Sequence, residues 1–328
     1  MSDTLVQAYL PLFLWTGLGL LSFRWVPDGF PRFLGRSLYW VGVPLQIFTL
    51  ARQTHFSERV ELAPSMVIFS LLSGLGLAWV GLQLVRQMSG ELSAEPDAHA
   101  ALNEGWHDPA HRGSFVIASM LGNTGFVGLA VAPSFIDESY LGWLVFYSVT
   151  QNVLGTYGLG VFLSSYYGRS QKQRHWLITL RDVLTVPSLW AFGIGFLTRT
   201  VALPDAVEGG LQGALWIIIS CALLLMGLRL RQLHGWKSLK LALVPTVIKV
   251  ILMPMIVGIA AVCLHLPGDP RLALVLMAGM PTAFAGLILA EEYDLDRELI
   301  AGSIVLTTAM LLLAIPLWLL IFGERAIA

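Results

Sequence analysis

Charge is what this sequence has least of. Only 12% of its 328 residues are Asp, Glu, Lys or Arg, against about a quarter in an average soluble chain. Meanwhile 56% are hydrophobic, and the mean hydropathy is +0.71. Apolar runs of about 18–25 residues, the length that crosses a hydrocarbon core, recur from end to end. An all-α polytopic membrane protein is therefore expected, with the lipid bilayer as its solvent. A net charge of −1 leaves no basic surface for nucleic acid. Cysteine is scarce too: Cys221 and Cys263 both fall in apolar segments and read as small buried hydrophobes rather than a disulfide. No H-E-x-x-H, G-x-S-x-G, Walker A or G-x-G-x-x-G pattern occurs, so neither an enzyme nor an ATP-driven pump is expected. Met1 to Gln7 has no basic stretch of the kind that opens a signal peptide.

Ten spans are expected, at residues 5–23, 37–53, 64–87, 113–134, 139–165, 176–198, 209–228, 241–265, 271–291 and 299–322. The connections after the odd-numbered spans carry 14 of the 20 Lys and Arg residues, and the opposite side carries 5. The positive-inside rule then places both the N-terminus and the C-terminus outside the cell membrane.

Two stretches inside this pattern echo each other. Asn123-Thr124-Gly125-Phe126-Val127-Gly128-Leu129 lies within span four, and Pro281-Thr282-Ala283-Phe284-Ala285-Gly286-Leu287 within span nine. Thr, Phe, Gly and Leu recur at a constant offset of 158 residues. Gly weakens a helix and Pro removes a backbone donor, so both spans are expected to break near the membrane midplane and to cross. The echo extends to Pro11-x5-Gly17-x-Gly19 in span one and Pro187-x5-Gly193-x-Gly195 in span six, and to Pro64-Ser65 and Pro245-Thr246 opening spans three and eight. Five spans per copy is an odd number, which makes the second copy an inverted one. Residues 1–167 form the first repeat, 168–175 a basic cytoplasmic linker, and 176–328 the second. Inverted repeats with broken helices are a carrier's signature.

Polar groups at depth mark the candidate site. Asn123, Thr124 and Gly125 sit at the first break, Pro281 and Thr282 at the second, and Gln151 and Asn152 near the middle of span five. An amide can meet a carboxylate through N–H or a cation through oxygen. Gln46 in span two is a weaker candidate, and Thr307 and Thr308 read as packing residues. Lys249 is the one deep charge, roughly 12 Å in from the start of span eight at 1.5 Å per residue. It could neutralise an anion, cycle a proton, or brace the ends of the broken helices through their carbonyls. No Asp or Glu lies deep; Glu291, Glu292 and Asp294 read as solvated at the rim of span nine. The loop at 88–112 holds Glu91, Glu95, Asp97, His99, Glu104, His107, Asp108 and His111, yet without the spacing of a known metal site. No metal and no cofactor are expected.

With these residues in hand, the chain resembles the auxin efflux carrier family. Asn123-Thr124-Gly125-Phe126-x-Gly128 resembles the family's fourth-span motif. Met280-Pro281 followed by Leu289-Ala290-Glu291-Glu292-Tyr293 resembles its ninth-span motif. Pro11 with Gly17, Pro44, Gln151 with Asn152, and Lys249 before Pro254 also fall where the family places such residues. Where the family usually has Pro soon after the fourth-span Gly-Leu, this chain has Ala130, with Pro133 three residues later. At the ninth-span break Pro281 is followed by Thr282 and Ala283, with no amide.

The resemblance implies ten helices in two inverted five-helix repeats, the architecture of sodium/proton antiporters and bile-acid symporters. Spans one, two, six and seven would form a scaffold, often a dimerising one, so a homodimer is a further expectation. Spans three to five and eight to ten would form a transport domain. Elevator-type movement of a small organic anion, an auxin-like or dicarboxylate molecule, would follow. The alternative is a carrier coupled to sodium or protons, and a third reading is a membrane sensor that binds without transporting.

Overall fold

The computed structural model describes residues 2–27, 29–53, 59–91, 106, 108–168, 181, 184–185, 187–230 and 236–323. The expected linker at 168–175, apart from Gly168, lies outside them, as do Glu95, Asp97, His99, Glu104 and His107 of the long loop.

Among the described residues the regular elements are helices. In chain order they are α1 (Ser2–Ser22), α2 (Phe30–Ser37), α3 (Val43–Gln53), α4 (Leu62–Glu91), α5 (Pro109–Met120), α6 (Leu129–Val131), α7 (Leu141–Thr150) and α8 (Val161–Gly168). There follow α9 (Pro187–Leu197), α10 (Asp205–Leu230), α11 (Trp236–Leu241), α12 (Leu243–Val247), α13 (Met253–Cys263), α14 (Gly268–Ala278), α15 (Phe284–Glu292) and α16 (Arg297–Phe322). Four wider, π-helical stretches lie within this series: Leu38–Gly42, Thr124–Gly128, Gln151–Gly160 and Ile248–Leu252.

Four helical stretches among the described residues are long and apolar enough to cross a membrane: Leu62–Gln87, Asp205–Arg229, Leu243–Cys263 and Arg297–Phe322. Shorter apolar helices at Tyr9–Ser22, Thr124–Phe135 and Pro187–Leu197 accompany them. Large apolar side chains are turned outward on these elements, Trp79, Trp190, Trp216 and Leu313 each more than 60% exposed. Water would make such a surface costly, whereas lipid tails solvate it. The protein is a polytopic membrane protein.

Glycine decides how two of the helix pairs approach. α1 packs along α10, and α9 along α3. A Cβ built on Gly19 would press on the Leu224 carbonyl and sit 2.9 Å from Gly227 Cα; one on Gly227 would press on the Thr16 carbonyl. A Cβ on Gly195 would lie 2.7 Å from the Phe48 carbonyl oxygen. Gly17 and Gly193 face open space. In each of the two sequence-matched Gly-x-Gly pairs it is thus the second glycine that lets backbones touch, the device by which apolar helices associate without a hydrophobic driving force. The remaining long elements pack mainly among themselves: α5 against α4, α8 and α16, and α13 against α14.

Acidic caps fix the starts of two helices. Asp108 accepts from Ala110 N–H at 3.0 Å to open α5, with Pro109 next in line. Asp296 accepts from Leu299 N–H at 3.0 Å to open α16, and its other oxygen lies 2.6 Å from His111 Nδ1, tying α5 to α16. Burial pushes the Asp296 carboxyl up, but the His111 ring and the backbone donors together hold it below its usual value.

Two expectations follow from this packing. Gly227→Leu overfills the α1–α10 contact and should cost about 1–3 kcal/mol, seen as a lowered thermal midpoint in detergent. Gly193→Leu, which meets open space, should leave the midpoint unchanged. The Asp296 contribution, coming from a depressed carboxyl, is present above the ordinary Asp range and is lost as pH falls below about 4. Asp296→Asn should therefore lower stability at neutral pH, and the gap to wild type should close in acid titrations.

Candidate functional site

At the centre of the fold two helices stop and start again. α5 ends at Met120 and helical backbone resumes at Thr124; α14 ends at Ala278 and α15 begins at Phe284. The gaps face each other, with Gly122 opposite Thr282 in an antiparallel bridge. Asn123 N–H donates to the Pro281 carbonyl at 2.7 Å, and Ala283 N–H to the Leu121 carbonyl at 2.9 Å. Proline suits its place because only its carbonyl is called upon. Gly122 suits its own because a Cβ there would sit 2.9 Å from Lys249 Nζ.

Side chains satisfy what the bridge leaves over. Thr282 donates its hydroxyl to the Ala118 carbonyl at 2.9 Å, near the end of α5, and its N–H to Thr307 Oγ1 at 3.0 Å. Lys249, 1% exposed, donates to the Ala278 carbonyl at 2.9 Å. That carbonyl ends α14, so the ammonium meets the negative end of the half-helix. Of the three roles open to Lys249 from sequence, this contact is the bracing one. Thr307 does more than pack, since it accepts from the broken segment. Thr307 in turn donates to the Ser303 carbonyl one turn earlier.

The span-five amides divide. Gly125 is enclosed by Asn152 and Gln46: a Cβ on it would lie 3.0 Å from Asn152 Nδ2 and 3.4 Å from Gln46 Oε1. Gln46 Nε2 donates to the Gly125 carbonyl at 2.7 Å, and Asn152 Nδ2 to the Ser148 carbonyl at 2.8 Å. Gln151 instead faces Gly155 and Leu71 on α4. Gln46, the weaker candidate in sequence, thus touches the break directly.

Some polar groups here remain unsatisfied. The hydroxyl of Thr124 and the Oε1 of Gln151 are buried without a hydrogen-bond partner. Asn123 precedes the Thr124–Gly128 turn without capping it through its side chain. Buried polar atoms without partners within the protein are uncommon. Thr124 Cγ2 and Lys249 Nζ both face the same Gly122 position. Asn123, Thr124, Pro281, Thr282 and Lys249 thus form one cluster. Gly125 and Asn152 adjoin it.

Residues 107–319, from the start of α5 into α16, match the family described as Membrane transport protein. The chain belongs to the auxin efflux carrier family. Relatives sharing the resemblance are an uncharacterized transporter of Methanothermobacter thermautotrophicus, 26% identical over 260 residues and covering 78% of this chain and 83% of its own, and an uncharacterized transporter of Methanocaldococcus jannaschii. The latter is 27% identical over 217 residues, 63% of this chain and 67% of its own. The protein is a membrane transporter of the auxin efflux carrier family.

One expectation is corrected within that frame. Glu291 is not simply solvated: Arg229 at the end of α10 grips it with two contacts, of 2.7 and 3.3 Å. Pro133 sits in a separate 3-10 turn, Ala132–Phe135, beyond the interruption. Among the described residues no group of three His, Cys, Asp or Glu could hold a metal.

Lys249→Met removes the donor to the Ala278 carbonyl and should destabilise the fold by about 1–3 kcal/mol, read as a drop in thermal midpoint. Lys249→Gln, which keeps a donor, should recover part of it. Unchanged midpoints in both would remove Lys249 from the bracing role.

Proposed function

We propose that this transporter moves a small organic anion, auxin-like or dicarboxylate, through the crossing of the two broken helices. The observation that carries the reading is the polar balance there. Lys249 and Thr282 take up carbonyls near the ends of α5 and α14. The helical stretches that begin at Thr124 and Phe284 bring their positive ends to the same crossing. The Thr124 methyl and Lys249 Nζ both face Gly122, and the Thr124 hydroxyl is buried without a hydrogen-bond partner. A cation placed there would be repelled by Lys249; a carboxylate would be met by it.

The movement we infer is of the elevator type. Its scaffold would be α1, α2–α3, α9 and α10, joined through the glycine contacts, and the remaining helices would travel. The equivalent packing of Gly19 on α10 and Gly195 on α3 supports two inverted repeats, since each glycine meets the counterpart helix of the other repeat. The distribution of Lys and Arg supports both termini outside a cell membrane. A scaffold-mediated homodimer fits the same scheme.

A second reading draws on Gln151. Its buried, donorless Oε1 could ligate a cation, so coupling to sodium has an observation in its favour.

Counterflow of labelled organic anions into proteoliposomes tests the site. Asn123→Ala should reduce exchange at least about tenfold, the effect of losing roughly 1.4 kcal/mol, with the protein still folded and inserted. Exchange at the wild-type rate would remove Asn123 from the site. Replacing sodium by choline without effect would dispose of the sodium reading.

A further inference from the structure

A cavity lies between span five, α4 and α9. It has a volume of about 370 Å³ and is walled by Phe146, Val149, Val153 and Leu154 of span five, Phe192 and Phe196 of α9, and Pro64 of α4. That volume is within the range of small-ligand pockets, about 300–1,000 Å³. Two polar residues are among those lining it, Thr150 and Glu61.

The two ends of this cavity differ. At one end stand residues next to helix termini: Glu61 immediately before α4, and Phe196 at the close of α9, with the Arg199 guanidinium 4.2 Å over the Phe196 ring. Arg59, exposed, lies two residues before Glu61. Helix termini of a membrane protein sit at headgroup level, where both charge signs find partners. From there the wall runs along α7 into the π-helical stretch, eight residues from Phe146 to Leu154, roughly 12 Å of helix at 1.5 Å per residue. Leu154 and Phe196, 42% and 36% exposed, leave the side toward the bilayer partly open.

We propose that this cavity takes one acyl chain of a zwitterionic aminophospholipid, whose ammonium pairs with Glu61 and whose phosphate meets Arg199. The chemistry matches on three counts. Three phenylalanines and four aliphatic residues line a slot that a hydrocarbon chain can enter from the membrane. A carboxylate and a guanidinium at one rim complement a headgroup carrying both signs. Neither charge is at the far end, where the chain would lie. The bound lipid would rest between α9 and the two elements it faces, α4 and span five, on the wall next to Asn152 in sequence. This site is independent of which solute the transporter carries.

The test uses the purified full-length protein, stripped of lipid in detergent. Its melting midpoint is followed during titration with dioleoyl phosphatidylethanolamine or dioleoyl phosphatidylglycerol, which share chains and phosphate and differ in the ammonium. Phosphatidylethanolamine should raise the midpoint more, because a ligand that binds the folded state stabilises it by mass action. Glu61→Gln, at an exposed position, should abolish the difference between the two lipids. Leu154→Trp, which fills the slot from its open side, should shrink both shifts. Equal shifts from the two lipids in the wild-type protein would overturn the proposal, as would a headgroup difference that survives Glu61→Gln. Should Leu154→Trp not fold, mass spectrometry of the intact protein with its copurified lipids supplies the third reading. Retention of phosphatidylglycerol over phosphatidylethanolamine would count against the site, and the reverse, lost in Glu61→Gln, would support it.

Discussion

The peptide groups freed at Leu121, Asn123, Pro281 and Ala283 set the terms for everything around them. In a bilayer a backbone N–H or C=O without a partner costs several kcal/mol. Two broken helices are tolerable here because each break supplies what the other lacks, through the Asn123–Pro281 and Ala283–Leu121 hydrogen bonds. The neighbouring side chains extend that logic outward: Thr282 reaches back to Ala118, Thr307 forward to Thr282, and Lys249 across to Ala278. Removing one helix from this arrangement would strand groups on the other three.

Much of this was legible in the sequence, and the reason is local. Gly and Pro weaken a helix wherever they stand, so the echo between residues 123–129 and 281–287 located both interruptions without any knowledge of neighbours. The Gly-x-Gly echo between spans one and six spoke only for a repeat; that the second glycine of each pair makes the close contact depends on helix phase and on the neighbouring helix. What stayed hidden depends on partners distant in sequence. Thr307 looks like any small residue of an apolar helix until Thr282 is set 3.0 Å away. Gln46 gave a signal only as an amide in an apolar run, and Glu291 gave none of its pairing with Arg229, 62 residues earlier. Periodicity says where a helix is weak and which residues are costly to bury; it does not say which helix lies opposite.

The apolar runs also overstate helix continuity. Four continuous helical stretches among the described residues meet the requirement of length and apolarity. Several others are assembled from pieces, with π-helical stretches at Thr124–Gly128 and Gln151–Gly160. Such wide turns are rare and concentrate at functional positions. Here they hold Thr124, Gly125, Gln151 and Asn152, and Ile248–Leu252 holds Lys249. The turns that interrupt regularity are the ones that carry the polar side chains.

The two kinds of helix contact differ in what they permit. Where Gly19 meets Gly227, and Gly195 meets Phe48, backbones touch, and neither helix can slide without driving a side chain into a main chain. Such an interface is suited to a body that stays rigid. Between α1, α3 and α10 on one side and the broken helices with α16 on the other, polar ties among the described residues include the Gln46–Gly125 bond, the Tyr9 hydroxyl on the Leu312 carbonyl at 3.3 Å, and the Arg229–Glu291 pair. Each can be exchanged for water, a headgroup or a substrate oxygen as it opens, so the free-energy cost of parting them is modest. The elevator-type movement proposed for this transporter would need such a division, holding the broken-helix crossing intact while it travels. The interlocked glycines would then supply the fixed half, and the replaceable polar contacts the boundary along which it would move.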